Sequence, residues 1–242
     1  MIDSVPVPAV ISHLLVAYLV CVLPWLGRAR YRWLKEQIEA GRSEARLRFY
    51  RRVLAAQLGL VLVVLAIWRL GSIAPEALGL IAPANAPLMT IALAGFLISV
   101  LVSSLVLRYK GDRRLKRVLQ MAGPLLPVST AERWLFAVVA VGAGISEELA
   151  FRGFLLFYFA IFLPGLGRSV AVLASSAAFG LGHLYQGIRG VVLTAVVGLF
   201  LAMLYVLSGS LVVPMVVHAA LDLRLLVIVT PERLKKLGAG AA

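Results

Sequence analysis

Cysteine is almost absent. Cys21 is the only one in 242 residues, so the chain holds no internal disulfide and no thiolate metal cluster. Charge is scarce as well: Asp, Glu, Lys and Arg make up 14% of the chain, where soluble domains carry about a quarter. A surface that poor in charge excludes an ordinary soluble enzyme. Histidine is limited to three residues, which leaves few places for chemistry that needs an imidazole. The inverted sequence repeat common in transporters is not visible either.

What is present is hydrocarbon, 62% of the residues. Apolar runs of about 20 residues, enough to cross a bilayer, recur along the whole chain and leave no room for a separate soluble domain. Spans are expected at about Val7–Leu26, Leu54–Leu70, Leu88–Leu107, Trp134–Leu163, Ser169–Tyr185, Val191–Leu207 and Leu211–Val229. The fold class predicted is all-α, a polytopic membrane helix bundle of about seven transmembrane helices in a single domain, 1–242. Within it, 1–125 would form the N-terminal spans and basic connectors, and 133–230 a helix core.

The net charge of +13 sits in connectors between spans, not in one patch on a polar surface, which argues for anionic lipid headgroups and against nucleic acid as the partner. Nine Lys or Arg lie between Gly27 and Arg52 against Glu36, Glu39 and Glu44, a composition that predicts an amphipathic arm on the membrane surface. Arg108–Arg117 and the tail residues Arg233, Lys235 and Lys236 are also basic, whereas the connector Gly71–Pro87 contains Glu76 and no Lys or Arg. By the positive-inside rule, the N-terminus is expected outside and the C-terminus in the cytoplasm. Met1–Pro8 lacks the positive residue of a cleavable signal peptide. Arginine far exceeds lysine, a bias of GC-rich bacterial genomes, so a prokaryotic plasma membrane is the expected location.

Away from connectors and span ends, the ionisable residues are His13, Glu147, Glu148, Arg152, His183, His218, Asp222 and Arg224. Each charge at mid-membrane costs on the order of 3 kcal/mol on insertion scales, so they must share a polar interior. Glu148 and Arg152 are four apart on one helix face and are expected to pair. Glu147 is turned about 100° from its neighbour and is free to face a cavity as a general base. His218 and Asp222 again share one face, and His183 closes the run Phe179-Gly-Leu-Gly-His. Histidines and carboxylates from separate helices are suited either to hold a zinc ion with one open position or to orient a water directly. His13 is expected to be a packed, hydrogen-bonded core residue, and Arg224 to reach toward the headgroups.

Glu-Glu-Leu-Ala-Phe-Arg-Gly at 147–153, Phe-x-x-x-His at 179–183 and Pro-x-x-x-His-x-x-x-Asp at 214–222 resemble, in order and spacing, the three motifs of the CAAX-protease and bacteriocin-processing membrane endopeptidases. The resemblance covers roughly Val141–Val227. It implies a conical cavity in the helix bundle in which a peptide bond of a membrane-associated peptide or protein is hydrolysed. Glu147 would activate the water with help from His218, His183 and Asp222 would bind the oxyanion or a metal, and Arg152 would hold Glu148. A divalent metal such as zinc and a metal-free, glutamate-dependent mechanism are both compatible with it. One position departs from the common pattern, because Asp222 stands where asparagine is frequent, and an ionised aspartate cannot donate to an oxyanion.

Two other classes compete. A non-catalytic membrane partner, such as a bacteriocin-immunity or regulatory protein, would keep the cavity for peptide binding and tolerate loss of Glu147. A small transporter would use the same polar residues as an ion path, a reading the missing repeat disfavours.

Overall fold

The computed structural model describes residues 8–110 and 123–236. The basic stretch Arg108–Arg117 therefore lies largely outside the described residues, as does most of Met1–Pro8. The helices are α1 (Ala9–Glu39), α2 (Ala45–Leu70), α3 (Ala86–Lys110), α4 (Thr130–Phe162), α5 (Arg168–Gly182), α6 (Gly187–Ser208), α7 (Val212–Ile228) and the short α8 (Pro231–Lys236), with no strand among the described residues. The chain is a helical membrane bundle. Five helices are long and apolar enough to cross a membrane: α1 to α4, and α6 with the turn before it. The other two expected spans are shorter, 15 residues in α5 and 17 in α7. At 1.5 Å per residue they reach about 22 and 25 Å, less than a full hydrocarbon core.

The surface arm expected over Gly27–Arg52 does not form. Nothing between Leu23 and Glu39 breaks the helix, so α1 runs on through the basic residues to Glu39. Gly41, at φ 70°, makes the turn, and α2 then starts inside the same basic segment at Ala45. The charged residues are extensions of two spans.

Helix α4 is the central rod. Of its most apolar window 44% is buried, against 6% for the peripheral α3. Its start is set by a capping box: Ser129 Oγ accepts from the Glu132 amide at 3.3 Å, and Glu132 Oε2 accepts from the Ser129 amide at 3.0 Å. Arg133 then donates to the carbonyls of Leu226 and Val229 at 2.6 and 2.7 Å, satisfying the C-terminal end of α7. These bonds fasten α4 to α7 at one end of the bundle.

Association of helices in lipid depends on close packing, since the tails are as apolar as leucine. Small residues provide it here. A Cβ on Gly144 would stand 2.7 Å from the Met215 carbonyl, bringing α4 against α7. One on Gly180 would stand 2.6 Å from the Val191 carbonyl, bringing α5 against α6. Leu19, Ile67, Leu149, Phe151, Phe154 and Phe179 fill the buried centre between these contacts, while Leu14, Leu58, Leu88, Ile98 and Val196 remain exposed on the outside for lipid.

Immediately after the glutamate doublet, α4 changes pitch. Leu149–Phe154 form a π-helical segment whose six residues are all buried. Inside it the Phe151 carbonyl receives a hydrogen bond from Ser175 Oγ of α5 at 2.7 Å. A widened turn of this kind recurs at functional sites. Beginning one residue after Glu148, it sets the direction in which the rest of α4 leaves the doublet.

Candidate active site

A cavity of about 330 Å³ opens between α1, α2, α4, α7 and the turn joining α5 to α6. Glu147, His183, His218 and Asp222 all line it. Glu148 and Arg152 do not: both are fully buried behind the wall. The six residues singled out in the sequence thus separate into four that face the cavity and two that support it.

The supporting pair has the geometry its spacing predicts. Arg152 Nη1 donates to Glu148 Oε1 at 2.9 Å, with both side chains sealed from solvent. Nη2 of the same guanidinium donates to the Gly198 carbonyl at 2.7 Å, and its Cζ lies 4.4 Å from the centre of the Phe179 ring. A buried arginine held by a carboxylate, a carbonyl and an aromatic face is fixed in position. Glycine at 198 makes this possible, because a Cβ there would meet Arg152 Nη2 at 3.2 Å and Phe179 at 3.0 Å.

The resemblance has His218 assist Glu147 in activating a water, and says nothing of what holds the ring; its Nδ1 lies 2.8 Å from Glu148 Oε1. That oxygen accepts from Arg152 Nη1 and from the histidine alike, so Nδ1 is the donor. Nε2 of the ring is left facing Asp222, whose Oδ2 is 3.8 Å away. The second histidine is set in the same manner, by the carbonyl of Phe179, which can only accept and lies 2.9 Å from His183 Nδ1. Both rings, when neutral, hold an Nε2 lone pair.

Glu147 stands apart from these bonds. One of its oxygens, Oε2, is buried and has no hydrogen-bond partner among the described protein groups. Oε2 of Glu148 is buried without a partner as well, so what sets Glu147 apart is that its half-buried side chain lines the cavity.

Among the described residues, no three His, Cys, Asp or Glu side chains converge closely enough to hold a metal ion. The side chains as arranged do not fit a zinc site. The remaining ionisable residues lie elsewhere. Arg224 is exposed. His13 is exposed too, with Nδ1 2.7 Å from the Ala9 carbonyl and its ring against Tyr158 and Phe162, so it is hydrogen-bonded and packed but not in the core.

Much of the cavity wall comes from the N-terminal half, where the sequence carried no motif. Tyr31, Tyr50 and Gln57 line it from α1 and α2, and Arg30 is its single Lys or Arg among the described residues. Tyr185 and Gln186 add polar groups beside His183. Only their nearness to His183 in the chain could have drawn attention to them. On the outer side of Gln57 and Ser146 lies a second, apolar groove between α2 and α4, lined by Leu58, Val138 and Ile145 among others.

No curated protein and no solved structure matches the chain. The family described as Rce1-like, type II CAAX prenyl endopeptidase Rce1-like, does match, over residues 129–224. That interval begins at the cap of α4 and contains all six site residues. The match covers less than half of the chain, and over that segment the protein is similar to this family of CAAX endopeptidases.

Proposed function

We propose that this protein is an intramembrane endopeptidase that hydrolyses a peptide bond of a membrane-associated peptide or protein, with Glu147 as the general base. The observation that carries the reading is the place of Glu147 in the wall of a cavity that His183, His218 and Asp222 also line, outside the bonds that occupy Glu148. In the step proposed, Glu147 takes a proton from water as the water oxygen attacks the scissile carbonyl carbon. The carbonyl π electrons move to oxygen. Collapse of the tetrahedral intermediate then breaks the C–N bond, and the leaving nitrogen receives the proton from Glu147.

His218 takes part through its position. With its Nδ1 proton committed to Glu148, its Nε2 accepts a hydrogen bond from the same water and aligns it for attack. Arg152 acts one layer further back by holding Glu148 in place. His183 supplies a donor to the developing oxyanion only when its ring carries a second proton, since the first is engaged by Phe179. Base catalysis of this type contributes about 10²- to 10⁴-fold in rate.

A multi-pass plasma-membrane protein with an external N-terminus and a cytoplasmic C-terminus fits the distribution of basic residues, and places the basic ends of α1 and α2 in the cytoplasm. The test is cleavage of a membrane-tethered peptide by purified protein in nanodiscs, wild type beside Glu147→Ala and His218→Ala. Both variants should lose hydrolysis while still folding. Equal activity of all three proteins would remove the protease reading and leave a peptide-binding role.

A further inference from the structure

Hydrolysis at Glu147 builds negative charge on the carbonyl oxygen, and His183 and Asp222 can each donate to it only by carrying an added proton. A neutral His183 has spent its proton on the Phe179 carbonyl, and an ionised Asp222 can only accept. Preorganised donors at an oxyanion are worth about 10²- to 10³-fold each, so a site of this kind requires one.

The hydroxyl of Tyr185 meets the requirement. Tyr185 lines the cavity two residues after His183, with ring centroids 5.8 Å apart. Glu147 and Asp222 line the same cavity. Its oxygen accepts a hydrogen bond from Gln186 Nε2 at 3.0 Å, and among the described residues nothing takes its own proton. Accepting one hydrogen bond strengthens a hydroxyl as a donor in a low-dielectric site.

The hydroxyl is also held in place. The ring of Tyr31 lies 5.4 Å from that of Tyr185 on the α1 side. Gln186 is seated over Gly190, where a Cβ would come within 2.2 Å of Gln186 Cβ, so the glycine leaves the room that this side chain occupies. Gly187, at φ 75°, turns the chain into α6, of which it is the first residue. Tyr185 is therefore a fixed donor on a built turn, and a tyrosine serving only as an interfacial anchor would need none of this support.

We propose that Tyr185 is a catalytic residue whose hydroxyl, oriented by Gln186, donates a hydrogen bond to the oxyanion of the tetrahedral intermediate formed by attack of the Glu147-activated water. No proton is transferred. Tyr185 stays protonated throughout, and Gln186 is a positioning residue. This role for Tyr185 rests on the chain being a hydrolase with Glu147 as its base.

The experiment uses the full chain in nanodiscs and two probes: an internally quenched peptide with aliphatic residues flanking the cleaved bond, and the phosphinic pseudopeptide of the same sequence, whose tetrahedral anion resembles the intermediate. Tyr185→Phe should lower kcat by about 10²- to 10³-fold with little change in KM, and should weaken phosphinate binding by a similar factor while sparing the uncleaved peptide. Adding Asp222→Asn to Tyr185→Phe should recover at least about tenfold in both readouts, because the amide supplies a donor in the same cavity. Gln186→Leu should give an intermediate loss. Tyr109→Phe, which alters an exposed tyrosine outside the cavity, is the control and should change neither.

Unchanged kcat and phosphinate binding in Tyr185→Phe would overturn the assignment, as would an equal loss of affinity for both probes, the mark of a structural anchor. Absence of rescue by Asp222→Asn would also count against it. A wild type that neither cleaves the peptide nor prefers the phosphinate would instead remove the hydrolase reading itself.

Discussion

Glu148 Oε1 accepts from His218 Nδ1 at 2.8 Å, and the same oxygen accepts from Arg152 Nη1 at 2.9 Å. One buried carboxylate oxygen thus ties the second residue of the doublet to a histidine 70 positions later and fixes which nitrogen of that histidine carries its proton. Glu147, the neighbour, takes no part in these two bonds and lines the cavity.

Arg152→Met should be severely destabilising. It keeps much of the side-chain volume but strands the Glu148 charge away from water, a type of loss that costs about 3–5 kcal/mol. Thermal unfolding in detergent should show a lowered midpoint, with activity falling even in the fraction that remains folded. A wild-type midpoint would show that Glu148 does not depend on this partner.

Glu147→Gln should behave differently. Glu147 has no intramolecular bond at Oε2 to lose, so the variant is expected to unfold close to the wild-type temperature while hydrolysis drops by at least about 10²-fold. The informative comparison is between the two glutamates: stability reports on Glu148 and turnover on Glu147. Activity retained in Glu147→Gln would move the base elsewhere.

Chelation should leave turnover intact under the glutamate-dependent mechanism, because no three metal-binding side chains converge among the described residues. The check is hydrolysis after dialysis against a chelator, with and without added zinc. Loss restored by zinc would mean that the side chains rearrange around an ion and would replace the proposed mechanism.

Two glycines should give opposite results. At Gly198 a side chain meets Arg152 Nη2, Phe179 and the Ser176 carbonyl, so Gly198→Val is expected to disrupt the buried ion pair and reduce both folding and activity. At Gly59 nothing lies within 4 Å, and Gly59→Ala within a regular helix should stabilise by up to about 1 kcal/mol. Midpoints of unfolding for the two variants, measured side by side, test whether close approach or mere smallness is what each position requires.

The sequence was most readable where its code is local. The Glu148–Arg152 pair follows from a four-residue spacing, and the helical character follows from apolar runs. Partners brought together over long distances were not readable in this way. That His218 would bond Glu148 and not Glu147 depends on the relative rotation of α4 and α7, which Gly144 permits but no local pattern encodes. The contributions of Tyr31, Tyr50 and Gln57 to the cavity were hidden for the same reason, since they come from helices with no recognisable motif. The supposed surface arm failed on a different point: composition described its charge correctly, but nothing in the segment ends α1 before Glu39. The short α5 and α7 show that an apolar run sets an upper limit on a span, which turns and polar groups then shorten.

The π-helical segment at Leu149–Phe154 has a mechanical consequence. A widened turn adds one residue to the helical count and so rotates everything after it by about 100° relative to an uninterrupted α-helix. The part of α4 before the segment is geared to α7 through Gly144, and the part after it meshes with α1 where Tyr158 meets His13. The two halves of the rod therefore run on different phases, each free to satisfy its own neighbour. Deleting any one residue from 149–154 would lock them to a common phase, and either the glutamates would turn out of the cavity or the aromatic face would turn out of the bundle.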